Sequence, residues 1–199
     1  ASGTEYVSHH LGFLTYGKLD GHWGFAHTPE EAAQMGFWAI NVDTMLISMI
    51  LGVLFMAFYY LVSRKVTSGV PGGVQNFVEM IVEFVIESVE GAFHAKNKFV
   101  APLALTTFSW IFLMNAMDLV PVDWIPLFAQ TVAGDSHLYF KAVPTTDINI
   151  TLGFATAVFI MVIYYSLKVK GPLGFANDFL MHPFPKWYLA PLNLLLELP

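Results

Sequence analysis

Cysteine is absent from this chain, which excludes a disulfide framework and any thiolate metal site. Charge is scarce. Asp, Glu, Lys and Arg make up 12% of the 199 residues, about half the share of an ordinary soluble domain. The excess that exists is acidic, net −6, so the basic stripe that nucleic acid requires is missing. Neither a Gly-rich phosphate loop nor a G-x-S-x-G elbow occurs. The seven histidines are scattered; His9 and His10 adjoin, but no H-x-x-x-H pair exists, so no metal and no cofactor is expected. The first 40 or so residues are polar, aromatic and Gly-rich, without the pattern of a cleavable signal, so the first apolar run is expected to target the chain itself.

Apolar residues are what the chain has in plenty, 56% of the total, and their distribution predicts an all-α, polytopic membrane protein. An outer segment, 1–40, precedes a transmembrane domain, 41–199. The first span is 42–62: after Asp43 no charge occurs for 20 residues. At about 1.5 Å per residue that length covers the ~30 Å hydrocarbon core. Asn41 and Asp43 suit its N-cap, and Arg64 and Lys65 follow as cytoplasmic anchors. The second span is 99–120, closed by Pro121 and carrying Thr106, Thr107, Ser109, Asn115 and Asp118. The third is 147–167, capped by Asp147 and followed by Lys168 and Lys170. A polar outer loop is expected over 121–146 and a Gly/Pro-rich cytoplasmic loop over 168–186. Trp187 to Leu198 reads as the start of a further helix.

Between the first two spans, 74–93 reads as an amphipathic helix. Glu79, Glu83, Glu87 and Glu90 recur at four, four and three residues and form one stripe. Burying four carboxylates in a bilayer would cost roughly 10 kcal/mol or more, so this helix is expected along the cytoplasmic interface. Its acidic stripe is suited to cytosol or a partner protein rather than anionic lipid.

Orientation follows from the cations. Arg64, Lys65, Lys96, Lys98, Lys168, Lys170 and Lys186 fall on one side of this topology, and Lys18 and Lys141 on the other. That asymmetry places the N-terminus and the 121–146 loop outside. The outer face is then acidic, with Asp43, Asp118, Asp123 and Asp147.

Asn115 and Asp118 lie three apart on one helix face near the outer end of the second span. Asp118 could exchange protons with the outer aqueous phase while Asn115 orients water one turn deeper. Equally, Asp118 could sit cheaply at headgroup depth while Asn115 bonds a neighbouring helix. Ser48 with Gly52, and Gly153 with Ala157, read as close-packing faces. Asp43 and Asp147 read most simply as N-caps.

Segments in order along the whole chain resemble subunit a of bacterial F-type ATP synthases: SHHL (8–11), FWAINVDTM (37–45), TSGVPGG (67–73), APLALTTFSWIFLMNAMDLVP (101–121), VPTTDINITL (143–152), KVKGPLGF (168–175), HPF (182–184) and LAPLNLLLE (189–197). The resemblance implies a non-catalytic, ion-translocating stator subunit in the bacterial inner membrane, with its N-terminus periplasmic. Its partners would be the c-ring, peripheral-stalk b subunits, membrane lipid and the translocated protons. Two offset half-channels would carry protons to and from the c-ring carboxylates during ATP synthesis. The outer half-channel would include Asn115 and Asp118, with Asp43, Asp123 and Asp147 at its mouth. Glu79, Glu83, Glu87 and Glu90 would lie near the peripheral stalk. The family's R-L-F-G-N-x-x-A-G-E segment has no counterpart in residues 1–199, so an incomplete C-terminal part is expected. The alternative is a non-conducting structural subunit or fragment. A secondary transporter would show internal repeats and broken midplane helices, and neither is visible.

Overall fold

The computed structural model describes residues 12–92, 99–135, 138–181 and 184–197. His9, His10, Lys96, Lys98 and His137 lie outside the described residues, as does Phe93 at the expected end of the amphipathic helix. The chain divides into two compact units, residues 1–150 and 151–199.

The first unit opens with structure that hydropathy alone does not suggest. β1 (Thr15–Leu19) and β2 (His22–Phe25) form an antiparallel hairpin, and β3 (Ile40–Asn41) pairs with the other edge of β1. The two-residue connection is Asp20–Gly21, at φ 48° and 88°. That is the positive-φ turn whose twist matches a right-handed hairpin. A short helix, α1 (Pro29–Gln34), follows; the Thr28 side chain accepts from the Glu31 amide, and Glu31 accepts from the His27 amide.

β3 leads without a break into α2 (Val42–Ser63). Asn41 is the N-cap but makes no side-chain cap bond, and Asp43 lies inside the first turn. The expectation that Asp43 caps this helix therefore does not hold. α3 (Gly73–Ala92) and α4 (Val100–Ala116) complete the helical part, with α2, α3 and α4 packed on one another. Phe84 of α3 meets Phe108 of α4 at 5.7 Å between ring centroids.

The α2–α4 seam explains the small residues on α2. The Trp110 indole lies over Gly52 and donates to the Ser48 carbonyl at 2.8 Å. Ser48 Oγ reaches Met114 Sδ at 3.4 Å, and Tyr59 Oη lies 3.2 Å from Ser109 Oγ. The expected Ser48/Gly52 packing face is thus occupied by an aromatic ring. On α6, Gly153 and Ala157, expected as a second such face, are both exposed.

The segment expected as a polar loop over 121–146 holds a helix, α5 (Trp124–Ala133). Its run WIPLFAQTVA is largely apolar, and Pro126 falls in the first turn, where no helical donor is lost. Gly134, at φ 69°, ends it in the left-handed conformation. A 3₁₀ turn, Pro144–Thr146, then delivers the chain to α6 (Ile148–Met181).

α6 begins in the first unit and forms most of the second. It also revises the loop expected over 168–186, because helix continues to Met181. The break is confined to Gly171, at φ 71° and ψ 169°. Pro172 needs no donor partner in a new first turn, so a Gly-Pro pair redirects the helix instead of ending it. A 3₁₀ turn, Trp187–Leu189, and α7 (Ala190–Glu197) follow, matching the further helix expected there.

Asn193 pins α7 to the preceding helix end. It is fully buried; its Nδ2 donates to the carbonyls of Leu180 (2.8 Å) and Phe184 (2.7 Å), and its Oδ1 accepts from the Phe184 amide (3.2 Å). Asn193→Leu would orphan these backbone groups. It is expected to destabilise the second unit by about 2 kcal/mol, read as faster proteolysis around residue 184. Proteolysis no faster than in the parent chain would mean that water replaces the amide.

Among the described residues three helices are long and apolar enough to cross a membrane: Val42–Ser63, Val100–Leu119 and Ile148–Asn177. The polytopic helical class expected from the sequence therefore stands, with a small sheet added at the N-terminal side.

Candidate functional site

A polar belt gathers where α2 and α6 begin and α4 stops. It is built from side chains far apart in sequence, and its centre is two buried carboxylates.

Asp43 is fully buried. Its Oδ2 accepts from the backbone amides of Leu14 (3.0 Å) and Lys141 (2.8 Å), and its Oδ1 from that of Thr44 (2.8 Å). One carboxylate thus ties the strand β1 approach, the first turn of α2 and the segment leading to α6. A first-turn position also sets the negative charge against the positive end of the helix dipole. Lys141 contributes only its backbone here; its ammonium stands 4.5 Å over the Phe13 ring.

Asp147 is nearly as buried, and it is a true N-cap: Oδ1 accepts from the Asn149 amide at 2.9 Å. Its Oδ2 accepts from Asn41 Nδ2 and from Thr44 Oγ1, both at 2.9 Å. Asn41 Oδ1 in turn accepts from Thr15 Oγ1 at 2.9 Å. These bonds lock the first turn of α2 to the start of α6. Both carboxylates accept bonds that hold backbone, amide and hydroxyl groups in place.

Asn115 and Asp118 are arranged differently, and both are exposed. Asn115 closes α4, and its Oδ1 accepts from Thr145 Oγ1 at 2.9 Å. Asp118 lies just beyond the helix, in the 3₁₀ turn Met117–Leu119. A water-accessible carboxylate beside an amide and a hydroxyl can take up or release a proton and orient the waters that deliver it. Asp123 is half-buried at the N-cap of α5, where its backbone carbonyl accepts from the Leu127 amide and its side chain makes no cap bond.

Thr145, Thr44 and Thr15 belong to this belt and carry no sequence signal of their own. Thr145 falls in the VPTTDINITL segment, so the segment, but not the residue, was identifiable.

Glu79, Glu83, Glu87 and Glu90 are all exposed on α3, away from the belt. Gln75 Nε2 donates to Glu79 Oε1 at 2.7 Å and also to the Thr67 carbonyl, fixing the turn that enters the helix. A groove of about 790 Å³ runs between the end of α2 and α3, lined by Tyr59, Val66, Val82 and Ile86 and edged by Glu79, Glu83 and Glu87. Among the described residues no group of three or more His, Asp or Glu is placed to hold a metal ion.

Comparison with known proteins gives a consistent result. The family described as ATP synthase A chain matches residues 45–198. The chain is 55% identical to ATP synthase subunit a 2 of Hahella chejuensis, over 98% of this chain and 71% of that protein. It is 57% identical to ATP synthase subunit a of Thiobacillus denitrificans, over 99% of this chain and 69% of the relative. With ATP synthase subunit a of Ruthia magnifica the identity is 54%, over 97% and 70%.

Proposed function

We propose, from the premise that this chain belongs to the ATP synthase A chain family, that its polar belt walls the outer half of a proton path. The chain is a membrane protein of bacterial type and the proton-translocating stator subunit of an ATP synthase. It works inside that complex as a transport subunit. The rest is our reading of the geometry.

Asp118 is the exposed proton acceptor at the mouth. Asn115, oriented by Thr145, passes water-borne protons one turn deeper into α4. Asp43 and Asp147 are the frame that keeps the ends of α2, α4 and α6 in register, and Asp123 adds negative potential beside the entrance. The observation that carries this division is the contrast in surroundings: two carboxylates buried and each accepting three hydrogen bonds, one exposed three residues beyond an Asn bonded to Thr145. Negative charge around the mouth concentrates cations there.

In this reading the belt faces the periplasm across the inner membrane. The cations at the opposite ends of the spans, including Arg64, Lys65, Lys168 and Lys170, support that orientation. Protons leave the belt toward carboxylates of the c-ring, and the exposed glutamates of α3 face the peripheral-stalk b subunits at the cytoplasmic surface. Residues 1–199 contain one arginine, Arg64, at the end of α2.

Asp118→Asn and Asn115→Leu, each in the assembled complex in vesicles, test the assignment. Each is expected to lower ATP-driven proton pumping about three- to tenfold, equivalent to roughly 0.7–1.4 kcal/mol on the transfer barrier. Thr145→Val is expected to act in the same direction as Asn115→Leu, more weakly. Unchanged pumping and ATP synthesis in both of the first two variants would remove the belt from the proton path.

A further inference from the structure

Among the described residues, the N-terminal sheet has one covered face and one bare face. On the covered face Thr15 is buried, and Met35 and Ala39 stand against Gly17. The other face carries Tyr16, Trp23, Phe25 and Ile40. Register fixes this grouping, because Tyr16 pairs with both Phe25 and Ile40, and Trp23 lies two residues from Phe25. Tyr16 stacks on Trp23 at 6.0 Å and meets Phe25 edge-on at 5.0 Å. Trp23 is nevertheless 59% exposed and Phe25 48%, and Trp38, just before β3, is 77% exposed. Lys18 pairs with Trp23 and extends the same face.

We infer that this aromatic face lies in the headgroup layer of the leaflet from which α2 departs, and binds lipid there. Distance is the first reason. β3 ends at Asn41, one residue before a span of 22 residues. At about 1.5 Å per residue that span is ~33 Å long, just over the ~30 Å hydrocarbon core, so its first residue sits at the core boundary. Neighbouring strands lie about 4.8 Å apart, so β2 stands only about 10 Å from β3. Whether the sheet lies flat or stands up, its outer strand stays within or at the rim of the headgroup layer.

Chemistry is the second reason. Tryptophan and tyrosine favour that layer, and lysine can lay its stem on apolar surface while its ammonium meets lipid phosphate. Continuity is the third. The bare face runs through Ile40 directly into a span whose Met45, Met49, Ile50 and Val53 are exposed for acyl chains.

The test is depth measurement by spin labelling of the full chain in the assembled complex, in phosphatidylcholine/phosphatidylglycerol vesicles. The chain has no cysteine, so Trp23→Cys, Phe25→Cys and Lys18→Cys each give one site in it, once reactive cysteines of the other subunits are replaced. Glu30→Cys on α1 is the aqueous reference and Ile50→Cys on α2 the acyl-chain reference. The ratio of oxygen to nickel-chelate collisions at positions 18, 23 and 25 is expected to be several-fold above that at 30 and to approach that at 50. A ratio equal to that at 30 overturns the inference, because the face is then in water. Weak collisions with both agents also overturn it, because a protein surface then covers the sheet. Lys18→Cys leaves every aromatic residue in place, so it gives the answer even if the other two disturb the sheet.

Discussion

Asp43→Ala is expected to lower the unfolding free energy of the first unit by about 3–5 kcal/mol, the largest stability change of any single substitution in the polar belt. The side chain is fully buried and accepts from three backbone amides. Hydrogen bonds to a charged acceptor contribute roughly 1.5–3 kcal/mol each, and donors left without a partner carry their own desolvation penalty. Two of the three donors, Leu14 and Lys141, have no alternative partner in a helix or strand ladder. Asp43→Asn separates charge from shape. Its one carbonyl oxygen can still serve Leu14 and Lys141, while its NH₂ faces the Thr44 amide, so about half the loss is expected. Denaturant titration of the purified subunit in bicelles, followed by tryptophan fluorescence, reads both. A change below about 1 kcal/mol for Asp43→Ala would mean that water enters the site and that Asp43 does not frame the belt. Proton pumping should fall in Asp43→Ala together with stability. In Asp118→Asn it should fall with stability unchanged, and that contrast distinguishes a frame from a conduit.

Asp43 also marks the limit of what the sequence reveals. An Asp beside the first apolar residue of a span reads as a cap, and the local pattern offers nothing else. Two of its three donors stand 29 and 98 residues away, and only tertiary structure brings them in. Thr145 is similar: it meets Asn115 across 30 residues. Asp147 was legible, because its cap bond to Asn149 is local. Asn115 and Asp118 stand out in the sequence because a polar group inside an apolar run is costly and must have a reason. The helices were legible for the same cause in reverse, since a bilayer demands about 20 uncharged residues per crossing. Two short-range signals were there to be read: Asp20–Gly21 between TYGKL and HWGF is a hairpin turn, and Gly134 after WIPLFAQTVA is a helix stop. The flanking charges of the 121–146 segment concealed the second. Gly171–Pro172 was misleading because the pair that ends one helix also suits the start of the next.

Gly52 carries the second large effect. A Cβ there would stand 2.7 Å from Trp110 Cζ2 and 2.9 Å from Cε2, well inside contact distance. The indole cannot simply step aside. Its Nε1 donates to the Ser48 carbonyl at 2.8 Å, and Phe55 lies 5.9 Å away on its flank. Gly52→Ala must therefore push α2 and α4 apart or break that bond, at a cost of about 1–3 kcal/mol, and Gly52→Leu still more. In lipid, where apolar surface gains nothing by leaving the solvent, close packing of this kind is a main source of helix association. Trp110→Phe removes the part of the ring that the new Cβ would strike. In the Gly52→Ala background it should cost less than in the parent chain, by 1 kcal/mol or more, and the double variant should regain part of the lost stability. Additive losses would show that the contact does not set the α2–α4 distance. The same seam governs the conduit, because Asn115 lies five residues beyond Trp110 on α4 and its bond to Thr145 reaches across to the start of α6. A displaced α4 stretches that bond. Proton pumping in Gly52→Ala should therefore fall, and recover in the double variant in step with stability, although neither residue is part of the path.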